Sequence, residues 1–291
     1  MANYNNKKLA LCLILPQLII TLIFFIWPAF QALSQSFFFT DAYGLHSYFA
    51  GFDNFVSLFK DSAYAKAVWI TFLTSIAITF LTMALGLFLA ALLAKRQKSL
   101  PFYKTLFLIP YAIAPAIAAI LWRFFCQPDM GWLPRFLSYL GYDFNYLIYP
   151  QQALLVIILA ASWQQFSYNF LFFFAGLKAI PNSLVEAAIL DGASGFARFW
   201  QIIFPLLSPT TFFLLVVNLI YAFFDTFGII DIMTHGGPAN STTTLIYKIY
   251  KDGFIGMDLG GAAAQSILLM FIVIILSLIQ FRYLEKKVHY E

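Results

Sequence analysis

Charge is what this chain most lacks. Lys, Arg, Asp and Glu together make up 10% of its 291 residues, where a soluble domain carries about a quarter. So little charge cannot coat a water-facing surface, and a soluble globular fold is excluded. Cysteine is nearly absent as well, with Cys12 and Cys126 alone. They fall near opposite ends of two different apolar runs, so most of a membrane thickness separates them and a disulfide of normal geometry is excluded. No Gly is followed by Lys anywhere, which excludes a P-loop. The three histidines, His46, His235 and His289, are far apart in sequence and show no metal-ligand spacing. No Ser/His/Asp or Cys/His arrangement is present, so the sequence offers neither a metal site nor an enzyme's constellation.

What the chain has is apolar length. Hydrophobic residues reach 62% and Phe occurs 35 times. Runs long enough for the ~30 Å hydrocarbon core lie at Leu9–Phe38, Val68–Ala94, Leu106–Phe125, Ala153–Leu177, Leu206–Ile230 and Ala262–Phe281. The expected fold class is therefore all-α, a polytopic membrane protein with six transmembrane helices. The first run is too long for a signal-peptide core and lacks an Ala-x-Ala cleavage site, so it is expected to be retained. Pro16, Pro28, Pro110 and Pro115 predict kinks or breaks in helices one and three.

Basic residues set the expected orientation. With the N-terminus inside, Lys7, Lys8, Lys95, Arg96, Lys98, Lys104, Lys178, Arg198, Arg282, Lys286 and Lys287 all face the cytoplasm, a majority of the 17 Lys and Arg. The outer side keeps Lys60, Lys66, Arg123, Arg135, Lys248 and Lys251. Both termini are then cytoplasmic. The net charge of +4 reflects this topology and does not point to a nucleic-acid partner. The outer segments, about 39–66, 127–150 and 231–261, are rich in aromatic, Gly or Pro residues and are expected to fold as compact caps at the membrane surface.

One inner segment, 178–204, interrupts the apolar pattern. It contains Pro181-Asn182-Ser183-Leu184-Val185-Glu186-Ala187-Ala188-Ile189-Leu190-Asp191-Gly192-Ala193. Ser183 followed by Glu186 has capping-box spacing, with Ser183 expected at the N-cap. Gly192 can take the positive φ that ends a short helix, and Asp191 tolerates the turn. Phe196, Phe199 and Trp200 then make one apolar stripe on a second helix. Ala187, Ala188 and Ala193 carry so little bulk that another surface can approach the backbone closely.

Glu186-Ala187-Ala188, then Gly192, then Pro205 at the spacing found here resembles the cytoplasmic loop of bacterial ABC import permeases. That resemblance implies that Glu186, Ala187, Ala188, Asp191, Gly192 and Ala193 form a coupling helix, between helices four and five, that docks on a separate ATPase. The stretch Asp225–Asp231, the turn His235-Gly236-Gly237-Pro238 and Thr242–Tyr250 resemble the maltose-type carbohydrate-uptake class of these permeases. Pro16–Thr21, Phe24–Pro28, Ser167–Phe173, Tyr221–Phe227 and Gln280–Tyr283 narrow the likeness to permeases of sn-glycerol-3-phosphate importers, over nearly the whole chain.

The resemblance implies a single transmembrane domain over 1–291 in a bacterial inner membrane. The implied partners are membrane lipid, a second permease subunit, an ATPase dimer and a periplasmic substrate-binding protein. ATP and Mg would be held by the ATPase, with no cofactor on this chain. Polar residues inside spans are costly and usually face a bundle interior or a water-filled path. Helix four carries Gln164, Gln165, Tyr168 and Asn169, and helix five carries Asn218, Tyr221 and Asp225 on one face. Gln165, Tyr168, Asn218, Tyr221 and Asp225 are the expected substrate-path residues. Asp225 either lines that path or makes a structural salt bridge or hydrogen bond, with Arg123 as a candidate partner. The expected cargo is sn-glycerol 3-phosphate or a related glycerophosphodiester, with a neutral sugar or oligosaccharide as the alternative. A secondary transporter would show inverted repeats and intramembrane ion ligands, and neither is visible.

Overall fold

The computed structural model describes residues 7–40, 46–94 and 100–284. Lys95, Arg96, Lys98, Glu285, Lys286, Lys287, His289 and Glu291 lie outside these, so the part of the charge count resting on them is not addressed by the structure. In chain order the elements begin with α1 (Lys7–Thr21), a π-type turn (Leu22–Ile26) and α2 (Trp27–Gln35). A short hairpin of β1 (Phe38–Thr40) and β2 (Ser47–Phe49) leads to α3 (Asp53–Lys60) and α4 (Ser62–Ala94). Then come α5 (Leu100–Ala112), α6 (Pro115–Cys126), α7 (Trp132–Tyr139), α8 (Pro150–Ala179), α9 (Asn182–Leu190) and α10 (Gly195–Arg198). The chain finishes with α11 (Phe204–Leu206), α12 (Ser208–Phe224), α13 (Phe227–Met233), α14 (Leu245–Tyr250) and α15 (Leu259–Ile279).

Five stretches are long and apolar enough to cross a membrane: Leu11–Gln35, Ser62–Ala94, Pro150–Ala179, Ser208–Met233 and Leu259–Arg282. A sixth is the pair Phe102–Ala112 and Pro115–Cys126, bent by 97° at its break. The break falls where Pro110 and Pro115 predict it: a proline supplies no N–H to the preceding turn and its ring crowds the carbonyl four residues back. Pro28 sits in the first turn of α2, immediately after the π-type turn, while Pro16 is accommodated inside α1. The hairpin is an addition to the all-α expectation. Its strands are three residues each, too short for their alternation to be read from sequence.

The chain divides into two compact units. One takes in the chain up to Ser62 together with Ile249–Phe271. Within it the hairpin pairs Phe38 with Phe49 and Phe39 with Tyr48, and each pair brings its rings together. Asn54 donates to the carbonyls of Ser36 and Phe38 at 2.9 and 3.0 Å, which fixes α3 against the hairpin's start.

The other unit comprises Ala63–Lys248 and the segment from Ile272. Its helices bury small and polar residues and expose large apolar ones, the pattern of helices packed in lipid. In α4 the buried face runs through Ala67, Thr71, Thr74, Ser75, Ile78, Thr82, Gly86 and Ala90, while Trp69, Ile76, Phe80 and Phe88 are exposed. Thr71, Thr74 and Thr82 donate to carbonyls four residues back in their own helix, so these hydroxyls need no partner across the interface. At Gly86 an added Cβ would lie 2.6 Å from the Asn169 Cβ and 2.9 Å from the Phe170 nitrogen, so α4 and α8 approach there to backbone distance. Below that contact Ala90, Leu93, Phe170, Phe173, Phe174, Leu207 and Leu214 form an apolar core. Lys178 donates to the Ala94 carbonyl at 2.9 Å, closing the end of α4.

The segment after α13 is tied to the same helix. The Leu245 amide donates to Thr71 Oγ1 at 2.8 Å, and Lys66 Nζ donates to the Ala239 carbonyl at 2.7 Å. Gly236 turns the chain with a φ of 78°, and Thr243 Oγ1 donates back to its carbonyl. The Gly-Gly-Pro turn and the threonine run singled out in the sequence are thus two parts of one anchored cap.

Candidate functional site

The break between α5 and α6 frees backbone carbonyls within the apolar zone, and one of them shapes the site. The Ile113 carbonyl accepts from Gln164 Nε2 of α8 at 3.0 Å. That bond fixes which end of the amide points where. The other end, Gln164 Oε1, is buried without a hydrogen-bond partner. Beside it opens a cavity of about 480 Å³, walled by Tyr111, Ile113 and Pro115 from the break, by Gln164, Gln165 and Tyr168 from α8, and by Val217, Ile220, Tyr221 and Asp225 from α12 and its end.

Four of the five expected path residues line this cavity: Gln165, Tyr168, Tyr221 and Asp225. Asn218 does not. It is fully buried and exchanges two hydrogen bonds with Asn169, at 2.9 and 2.6 Å, clamping α12 to α8. Helical spacing puts Asn218 on the same general face as Tyr221. The nearest polar group across the interface captures its amide, and that neighbour cannot be read from spacing. Tyr221 contributes its ring to the wall while its hydroxyl donates to the Ala161 carbonyl at 3.3 Å.

Asp225 is the C-cap of α12, with its amide bonded to the Tyr221 carbonyl, and its side chain is exposed at the cavity. The alternative pairing with Arg123 is not formed. Arg123 donates to the Ile232 carbonyl at 3.1 Å, and among the described residues it makes no ion pair with Asp225. Tyr111 and Gln164 extend the expected set. Tyr111 was hidden because only the 97° bend brings α5 to this wall, and its ring lies 5.6 Å from that of Tyr168.

The second feature is the helix–turn between α8 and α12. The helix α9 starts at Asn182, with Pro181 as N-cap and no side-chain cap bond. The expected capping box is therefore corrected. Pro181, with φ −59° and ψ 129°, already supplies the extended-to-helical switch, and Ser183 falls inside the first turn. The far end matches expectation. Gly192 has a φ of 78°, its amide bonds the Ile189 carbonyl, and the Ala193 amide bonds the Ala188 carbonyl at 2.9 Å. These are the two bonds of a Schellman motif, with glycine at the left-handed position. Ser194 then caps α10 by accepting from the Ala197 amide.

Glu186, Ala187, Asp191 and Gly192 are exposed on this helix–turn and Ala193 is half-buried, but Ala188 turns inward. Expected at the open surface, Ala188 instead packs against its own chain, 6% exposed. Leu190, whose apolar side chain gives no sign of it in sequence, is 88% exposed. It stands at the end of the capped helix, on the same open surface as Glu186, Ala187 and Gly192. Beyond it, the expected stripe of Phe196, Phe199 and Trp200 forms a ring cluster that continues to Phe204. The Trp200 ring lies 5.3 Å from Phe199 and 5.0 Å from Phe204, linking the turn to the foot of α12.

Comparison with known proteins gives consistent results. Residues 83–290 match the family described as the binding-protein-dependent transport system inner membrane component. The chain is 52% identical over 288 residues to the sn-glycerol-3-phosphate transport system permease protein UgpA of Salmonella choleraesuis (strain SC-B67), covering 99% of this chain and 98% of that one. The protein of the same name from Escherichia coli (strain UTI89 / UPEC) matches to the same extent. Among solved structures, a bacterial ABC transporter involved in the import of the acidic polysaccharide alginate has a chain that superposes with a TM-score of 0.83. The sequence identity there is 24%, with 96% of each chain covered.

Proposed function

The chain belongs to the family of binding-protein-dependent transport system inner membrane components, and from that membership we propose that it is one of two permease subunits of an ATP-driven importer of sn-glycerol 3-phosphate or related glycerophosphodiesters. It is a multi-pass membrane transport component and not an enzyme. The substrate is inferred from the near full-length relatives. The partners would be a second permease subunit, an ATPase dimer that holds ATP and Mg, and a periplasmic protein that delivers substrate. Both termini and α9 would face the cytoplasm of a bacterial cell.

One geometric observation carries the mechanism. The cavity is walled by α8 and α12, and those two helices are joined at their other ends by the capped helix–turn and its ring cluster. A displacement of α9 by an ATPase closing on nucleotide would reach the cavity walls through a short, stiff link. Exposed Glu186, Ala187, Leu190 and Gly192 would be the docked surface, and the cavity would be this chain's share of the translocation path. A neutral sugar remains a second reading, favoured by the single carboxylate, Asp225, on the cavity wall. Purifying the tagged chain from cells that also express the candidate partners tests the assignment. ATPase and a second permease are expected to co-elute, and a monodisperse chain that recovers neither would overturn it.

A further inference from the structure

The described lining of the cavity contains a carboxylate and no Lys or Arg. Its polar groups are also of one kind where the hydrogen bonds settle them. Gln164 has spent its donor end on the Ile113 carbonyl, leaving the acceptor Oε1 buried and unpartnered, 5% of the residue being exposed. The Tyr221 hydroxyl is engaged as a donor to Ala161. Asp225, when ionised, only accepts. An ionised phosphate likewise offers acceptors, whereas a hydroxyl offers a donor. Arg123 and Lys66 lie outside this lining, where Arg123 donates to the Ile232 carbonyl and Lys66 to that of Ala239.

Resting on the glycerol 3-phosphate reading, we propose that this chain's wall receives the hydroxyl-bearing end of the substrate, through Asp225, whose side chain is exposed at the cavity. No Lys or Arg of this lining offsets the phosphate charge, which places the compensating cation on the second permease subunit. In this arrangement Asp225 is a specificity-determining residue: it grips a hydroxyl donor and repels a substrate entering phosphate-first. Tyr111 and Tyr168 supply flat apolar walls for the carbon skeleton between the two ends.

The test uses the complete complex with its binding protein in vesicles, and reads labelled sn-glycerol 3-phosphate uptake per assembled complex. Asp225→Asn is expected to lower uptake about tenfold, the scale of one hydrogen bond to a charged group. That loss is expected to be equal at pH 6 and pH 8, although the phosphate gains its second charge near ~6. Asp225→Glu, which keeps the carboxylate, is expected to retain most of the uptake and guards against a simple folding defect. The loss is also expected to shrink with n-propyl phosphate, which lacks both hydroxyls; where the native complex does not carry that analogue, the pH comparison decides alone. Faster uptake by Asp225→Asn, most marked at pH 8, would put the phosphate beside Asp225 and overturn the proposal. Equal loss with both substrates would overturn it too. A native complex that takes up no glycerol 3-phosphate would refute the substrate reading itself, and this proposal with it.

Discussion

Among single residues, Asn169 and Asn218 make the clearest case. Their amides exchange two hydrogen bonds inside the bundle, and Asn169 also donates to the Gln165 carbonyl, so removing Asn218 leaves Asn169 Oδ1 without its donor. Asn218→Leu is expected to destabilise the protein by about 1–2 kcal/mol, read as a lower midpoint of thermal unfolding in detergent. Replacing both by Leu removes the stranded group and is expected to recover part of that loss. Because Asn218 stands off the cavity, uptake per assembled complex is expected to survive in the double variant; its collapse in a stable complex would return Asn218 to the path. The sequence shows why Asn218 must face inward, since a bare amide in lipid is costly. It does not show which inward neighbour the amide meets. Gln165, Tyr168, Tyr221 and Asp225 were legible by the same reasoning because their nearest inward neighbour is the cavity. The Arg123 pairing was not, because a backbone carbonyl took the guanidinium.

At the scale of elements, two glycines carry opposite kinds of constraint. A Cβ at Gly192 would meet nothing within 4 Å, so its requirement lies wholly in its φ of 78°. Gly192→Val is expected to insert normally but lose ATPase on purification, since a β-branched residue resists that conformation at a cost of about 1–2 kcal/mol. Gly192→Asn, which visits the left-handed region more readily, is expected to keep most of it; equal loss in both would point to side-chain bulk instead. Gly86 has an ordinary helical backbone, but its missing side chain lets α4 touch α8. Gly86→Ala is expected to cost about 1–3 kcal/mol, the scale of overpacking, and to reduce the yield of folded protein, while normal yield and melting would contradict the close packing. The helices themselves were legible from apolar length, and the broken third span from Pro110 and Pro115. The start of α9 was not, because Pro181 takes the N-cap two residues before Ser183 could. The inward turn of Ala188 was also out of reach, since alanine suits either face.

For the whole molecule, orientation and cargo are the two matters that bear on function. Tyr139 and Leu190 are 93% and 88% exposed, so cysteines placed there report each side in a Cys12→Ser background. Tyr139→Cys is expected to react with an impermeant reagent in intact cells and Leu190→Cys only after permeabilisation; the reverse would invert the topology and detach α9 from any cytoplasmic ATPase. Neither the two-unit division nor the cavity could be anticipated from sequence, because both arise where distant segments meet. The most direct measurement is accumulation of labelled sn-glycerol 3-phosphate in vesicles that hold the complete complex. Accumulation that requires both ATP and the binding protein is expected; a complex that hydrolyses ATP and concentrates only neutral sugars would contradict it.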